Sequence, residues 1–164
     1  AWRMSWLRDE PYRGAQPGDA ADMAELELLC FSDPWKQEAI RKDIEDNPLA
    51  RYTVAESEGR IIAFGGLWIV VDQGHIIDIA VHPAYRRKGI GRRIVALMIE
   101  RSEREGALAH TLEVRESNEP ALAMYASFGF HIVGKREHYY QNPDEDALIL
   151  WRASPCNSQS DRGR

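Results

Sequence analysis

Apolar positions recur along this chain in two rhythms, one of three to four residues and one of two, and their alternation predicts the order of elements. A short strand, Tyr12 to Ala15, comes first. Pro17-Gly18-Asp19 turns into a helix in which Met23, Leu26 and Cys30 share a face, with Asp19 as its cap. After the loop FSDPW, a second helix runs from Lys36 to Asp46, sets Ile40 and Ile44 one turn apart, and stops before Pro48. Three strands follow, at Arg51 to Glu56, Arg60 to Val71 and His75 to Val81. Their short connections, Ser57-Glu58-Gly59 and Asp72-Gln73-Gly74, predict antiparallel hairpins.

A long helix begins after Gly89, presents Ile90, Ile94, Leu97 and Met98 on one face, and ends at Arg104 before Gly106. Leu108 to Val114 reads as the fifth strand. Asn118 to Ser127 reads as a short helix with Pro120 in its first turn and Gly129 as its stop. Strands at Phe130 to Tyr140 and Ala147 to Arg152 complete the pattern. The order β-α-α-β-β-β-α-β-α-β-β predicts an α+β layered fold on a mixed sheet, with a parallel crossover between His75 and Val114. Residues 8–152 are expected to form one domain, preceded by an extension at 1–7 and followed by a polar, disordered tail at 153–164.

Composition narrows the function classes. Hydrophobic residues make up 44% of the 164 and charged residues 29%, and no apolar run is long enough to cross a bilayer, so no membrane partner is expected. The chain opens on Ala1 with Met4 behind it and shows no secretory pattern, which makes a cytoplasmic location the expectation. Cys30 and Cys156 form neither a disulfide framework nor a metal spacing. The five histidines are scattered, without ligand spacing, and receive no role. A net charge of -5 argues against nucleic acid as a partner.

Against that acidity, five cations crowd into the eight positions from Arg86 to Arg93. They surround Gly89 and Gly91 at the start of the long helix, where free N–H groups and the positive dipole end suit an anion. Glycines there admit close approach, and Arg86, Arg87, Lys88 and Arg92 carry enough charge for a pyrophosphate. A dinucleotide loop would need a third glycine where Ile94 stands. A Walker loop would need Lys and Ser or Thr where Arg92 and Arg93 stand.

The stretch IAVHPAYRRKGIGRR resembles the acetyl-coenzyme A loop of the GNAT superfamily of N-acetyltransferases, and LEVRESNEPALAMYASFGF and HYYQNPDEDALIL resemble that superfamily's second half. The resemblance covers about Tyr12 to Arg152. It is closest to the RimI type, the ribosomal-protein N-terminal alanine acetyltransferases, through Phe31 with Pro34-Trp35, Leu112 to Arg115, Asn118, Ala123 to Tyr125, Phe128 to Phe130 and Tyr139-Tyr140. It implies a seven-stranded, mostly antiparallel mixed sheet with helices on both faces and a splay between the fourth and fifth strands. It also implies direct acetyl transfer from acetyl-coenzyme A to an amine in a ternary complex, without a metal.

Under that resemblance Glu113 is the base and Tyr125 the acid that protonates the leaving thiolate. Glu113 could instead serve only as an arginine's ion-pair partner, and Asp78, on the preceding strand, is the rival base. Backbone N–H groups of Ile79, Ala80 and Val81 would hold the thioester oxygen. Arg86, Arg87, Lys88, Gly89, Ile90, Gly91 and Arg92 would hold the pyrophosphate. Asn118 either contacts the coenzyme or only caps its helix. Phe31, Trp35, Tyr139 and Tyr140 would wall the acceptor site, with packing in the core as the alternative, above all for Trp35. Lys36 departs from the Ser or Thr usual after Pro-Trp in this type, which weakens the inference to the same peptide. The expected acceptor is a protein N-terminus, of an Ala- or Ser-starting ribosomal protein, and the expected assembly a monomer or weak dimer. Acetylation of lysine or a small amine, and acetyl-coenzyme A sensing without turnover, are the other readings.

Overall fold

The structure, a computed structural model, describes residues 11–155. The elements run β1 (Tyr12–Gly14), α1 (Ala20–Cys30), α2 (Gln37–Asp46), β2 (Ala50–Ser57), β3 (Arg60–Val70), β4 (Gln73–Val81), α3 (Ile90–Arg104), β5 (Ala109–Arg115), α4 (Glu119–Ser127), β6 (His131–Tyr140) and β7 (Glu145–Ala153). The seven strands form a sheet ordered β1-β2-β3-β4-β5-β7-β6. β1 with β2, β2 with β3, β5 with β7 and β6 with β7 are antiparallel, and β4 with β5 is parallel, as the strand-helix-strand passage predicts. The β4–β5 register pairs Gln73–His75 with Ala109–Thr111, and β5 continues to Arg115. Among the described residues no helix is long and apolar enough to cross a membrane.

The chain divides into two compact units. Among the described residues one holds 11–68 together with Asp78–Met98; the other holds Ile69–Ile77 and 99–155.

In the first unit the core gathers Ala20, Met23 and Leu26 of α1, Ile40 of α2, Tyr52 and Val54 of β2, Ile61 and Phe64 of β3, and Ala80 of β4. Asp43, buried on α2, ties these elements by hydrogen bonds: its Oδ2 accepts from Tyr52 Oη at 2.6 Å and from Trp68 Nε1 at 2.9 Å, and its Oδ1 accepts from Asn47 at 2.8 Å. Asp19 departs from the expected cap. It precedes α1, but its carboxylate makes no cap bond and instead takes both Arg13 nitrogens, at 2.8 and 2.9 Å, and the Gln16 N–H. A bidentate arginine outcompetes a single backbone donor for the same oxygens.

Two glycines in mid-strand set the spacing of this unit. A Cβ at Gly65 would lie 2.5 Å from Ile94 Cγ2 and 2.9 Å from Met98 Cε, so its absence lets α3 come down on β3. A Cβ at Gly66 would strike the Tyr52 ring at 2.5 Å. The stripe buried by α3 is rotated from the one expected: Ile90, Ile94, Val95, Met98 and Ile99 are buried, and Leu97 is half-buried at its margin. A globular helix buries a stripe wider than one ridge, which admits Val95 and Ile99.

In the second unit β5 alternates: His110, Leu112 and Val114 are buried, and Thr111, Glu113 and Arg115 are half-buried on the other face. His110 is fully buried, with Nε2 2.7 Å from Ser102 Oγ and Nδ1 3.3 Å from Arg152 Nη1. Arginine can only donate, so Nδ1 accepts and Nε2–H donates to Ser102, whose hydroxyl passes on to Ile99 O at 3.0 Å. Order continues past the expected end at Arg152: Ala153 closes β7, and Ser154 is buried with its N–H and Oγ donating to Leu108 O at 2.9 and 3.1 Å. The expected extension at 1–7 and the tail from 156 lie outside the described residues.

Two measurements follow from this packing. Gly65→Ala forces its methyl into Ile94 and Met98 and is expected to cost about 1–3 kcal/mol, read as a lower urea midpoint at unchanged m. Burial first, and then the Arg152 charge, lower the His110 pKa from 6.5 to about 4. A depressed histidine stabilises the fold above its unfolded pKa, so His110 should contribute up to about 3 kcal/mol at pH 7 that is lost as pH falls from about 6.5 toward 4. Unfolding free energies from pH 7.5 to 4.5 should therefore fall more steeply in wild type than in His110→Gln.

Candidate active site

In the first unit β4 delivers the chain to the glycine-rich loop. His82 N–H bonds to Ile62 O at 2.8 Å, the His82 ring caps a tight turn at Pro83–Tyr85 through Ala84 N–H, and α3 starts at Ile90. Gly89 adopts φ +79°, the left-handed conformation that glycine takes without strain. A Cβ at Gly91 would lie 3.3 Å from Val81 Cγ2, so this glycine keeps the helix start against the end of β4. The first turn of α3 carries no acidic residue. Backbone donors and a dipole end at Gly89–Arg92, with Arg87, Lys88 and Arg92 around them, fit a diphosphate. Lys88 Nζ sits 5.4 Å over the Tyr85 ring.

Arg86 also reaches back to the end of β4. Its Nε donates to Val81 O at 3.2 Å and its Nη2 to Cys30 Sγ at 3.5 Å, while Cys30 Sγ itself donates to Val81 O at 3.4 Å. The guanidinium thus braces the turn out of β4. The carboxylate of Asp78 accepts the Ile79 N–H.

Asp78 faces Glu27, a carboxyl 2% exposed on the apolar stripe of α1. Burial first, then the hydrogen bond and charge of Asp78, raise the Glu27 pKa, and burial raises that of Asp78. One proton is shared, with Glu27 as donor and Asp78 as acceptor. Glu27 Oε2 also accepts the Trp35 N–H at 3.3 Å, which anchors the loop from Phe31 to Trp35 to α1. Phe31 is half-buried against the core cluster, and Trp35 is 36% exposed, a surface residue and not a core one.

In the second unit Glu113 lies between two donors. His75 Nε2 is 2.8 Å from its Oε2, and Arg136 Nε is 3.3 Å from its Oε1. The His75 hydrogen bond, reinforced by the His75 and Arg136 charges and opposed by burial, lowers the Glu113 pKa. The carboxylate is therefore ionised at neutral pH, and the expected alternative of an arginine pair is realised together with a histidine. His75 was missed in the sequence because its partner is 38 residues away. The available signal was strand order: parallel pairing of His75 with Thr111 puts Glu113 two residues along the same face.

Tyr139 packs edge-on against Tyr140 with ring centres 5.0 Å apart, and burial and the Glu113 charge raise the Tyr139 pKa. Arg115 clamps this hairpin: its guanidinium lies 4.5 Å over the Tyr140 ring and donates to Pro143 O and Gln141 O, both at 3.0 Å. Tyr125 is buried on α4, its ring 5.4 Å from that of Phe130. Asn118 caps the same helix, its Oδ1 accepting the Ala121 N–H at 3.3 Å.

Comparison with known proteins places these features in a family. The profile of the Acetyltransferase (GNAT) family matches residues 20–130. The [Ribosomal protein bS18]-alanine N-acetyltransferase of Escherichia coli (strain K12) is 36% identical over 129 residues, 76% of this chain and 84% of that protein. The N-alpha-acetyltransferase RimI of Mycobacterium tuberculosis is 34% identical over 142 residues, 83% of this chain and 87% of that protein. The crystal structure of the ribosomal-protein-S18-alanine N-acetyltransferase from Escherichia coli superposes with a TM-score of 0.80 at 28% identity, covering 87% of this chain and 92% of that one.

Proposed function

Because this chain belongs to the acetyltransferase (GNAT) family, we propose that it transfers acetyl from acetyl-coenzyme A directly to the α-amine of a protein N-terminus, that of an Ala- or Ser-starting ribosomal protein. It is an N-acetyltransferase; acceptor and residue roles are the proposed part. The observation that carries the reading is Glu113, an ionised carboxylate held on β5 by His75 and Arg136 in the unit that also presents the Tyr139-Tyr140 hairpin.

Three tasks are assigned. Loss of the amine proton depends on Glu113, because Asp78 is already engaged by Glu27 and by the Ile79 N–H. Backbone N–H groups of Ile79 to Val81 are assigned to the thioester oxygen, and the stretch from Arg86 to Arg92 is assigned to the diphosphate, with Arg86 also bracing Val81 O. Tyr125, a phenol, returns a proton to the thiolate as it leaves. Phe31 and Trp35 on one loop and Tyr139 and Tyr140 on another are the aromatic walls for the first residues of the peptide.

Magnitudes favour an α-amine. With a pKa of about 8 it is neutral in roughly one molecule in ten at pH 7, whereas lysine is neutral in fewer than about one in a thousand. Glu113→Gln should lower kcat/KM by roughly 10² to 10⁴ with little change in the KM for acetyl-coenzyme A, and Tyr125→Phe should lower kcat. Thiol release with mass analysis of Ala-, Ser- and N-blocked peptides reads these effects. Equal acetylation of the blocked peptide would sink the N-terminal reading in favour of lysine or a small amine.

A further inference from the structure

We propose that His75 is the group that takes the amine proton, with Glu113 as its orienting carboxylate and Arg136 as the cation that keeps Glu113 in place. The inference rests on the acetyl-transfer reading above and names the atom at which deprotonation occurs.

Both oxygens of Glu113 are already in use, Oε2 with His75 at 2.8 Å and Oε1 with Arg136 at 3.3 Å. The Glu113 side chain is 12% exposed and that of His75 33%, so the imidazole is the more accessible of the two. An ionised carboxylate only accepts, which puts the His75 hydrogen on Nε2 and, in the neutral ring, a lone pair on Nδ1. Among the described residues Nδ1 has no hydrogen-bond partner in the protein. Its lone pair is available to an incoming N–H, and the opposite nitrogen is held by a carboxylate, the arrangement that makes histidine a base in hydrolytic triads. The lowered pKa of Glu113 agrees with this division, since a carboxylate stabilised in its charged form is a poor acceptor for an amine proton.

The step balances within the reaction already assigned. The amine N–H bond breaks as Nδ1–H forms, while Nε2–H strengthens its bond to Glu113. The nitrogen lone pair makes the new C–N bond. The C–S bond breaks toward sulfur, which takes a proton from Tyr125. His75 is bonded to Glu113 of β5, which in turn pairs with Arg136 of β6 and acts by its charge on Tyr139.

Wild type, His75→Ala, Glu113→Gln and the double variant are compared by steady-state acetylation of an Ala-starting peptide, with folding checked by circular dichroism and coenzyme affinity by calorimetry. Each single variant is expected to lose roughly 10² to 10⁴ in kcat/KM at unchanged coenzyme affinity, and the double variant to lose no more than the worse single one. Added imidazole should restore turnover to His75→Ala and not to Glu113→Gln. Losses that multiply in the double variant, or a His75→Ala protein as fast as wild type, would overturn the inference. If wild type leaves every unblocked peptide unmodified but acetylates a polyamine, the peptide reading fails by itself, and the same four proteins then test His75 on the polyamine.

Discussion

A missing side chain at Gly65 is the constraint on which the first unit of this protein depends. The space where a Cβ would stand is occupied by Ile94 and Met98 of α3 and by Ile79 of β4, 3.0 Å away, so one point on β3 sets the distance of the helix and the packing of the strand that leads to it. The loop from Val81 to Gly89 therefore spans two fixed ends. Arg86 serves there as a brace on Val81 O, and the residues after it open α3 with free backbone donors. A helix that rode higher on the sheet would carry the same sequence and the same dipole to the wrong place.

Buried charge is handled in two opposite ways. Glu27 and Asp78 face each other; burial raises both, the Asp78 charge raises Glu27 further, and the hydrogen bond from Glu27 holds Asp78 back, so the pair behaves as a structural unit between α1 and β4. Glu113 is also withdrawn from water, but its neighbours are donors, and its pKa falls. The same residue type is thus a neutral strut in one place and a permanent anion in the other. Partner identity decides it, because burial pushes a carboxyl upward in both.

Much of this was legible beforehand. The order of eleven elements follows from apolar period and from glycine and proline punctuation, and Glu113 follows from a charged residue between Leu112 and Val114. What escaped was always a contact set by distant parts of the chain. Nothing near Asp19 announces that Arg13 will take its carboxylate from the helix N–H groups. Glu27 has helical spacing with Met23 and Cys30, yet a carboxyl on a buried stripe is intelligible only once Asp78 stands opposite. His75 looked like one of five scattered histidines because its role needs the parallel pairing of β4 with β5, which skips the whole of α3. Two glycines in succession at 65 and 66, costly in a strand, were the overlooked local signal of close packing.

Strand β5 links Glu113 to the Tyr139-Tyr140 hairpin. Glu113 and Arg115 are two residues apart and so point to the same face. The first is bonded to His75 on β4 and to Arg136 on β6; the second is bonded to Gln141 and Pro143 beyond β6 and lies under Tyr140. Both side chains therefore reach the β6–β7 hairpin from one strand, and the hairpin cannot shift without pulling on a donor to Glu113. An α-amine sits on the first residue of its peptide, so the distance from the peptide-binding walls to the proton acceptor must be short and constant, whereas a lysine amine on a flexible stem tolerates a looser relation. Two clamps from alternate positions of one strand hold the hairpin to β5, the kind of fixed spacing that an N-terminal acceptor would require.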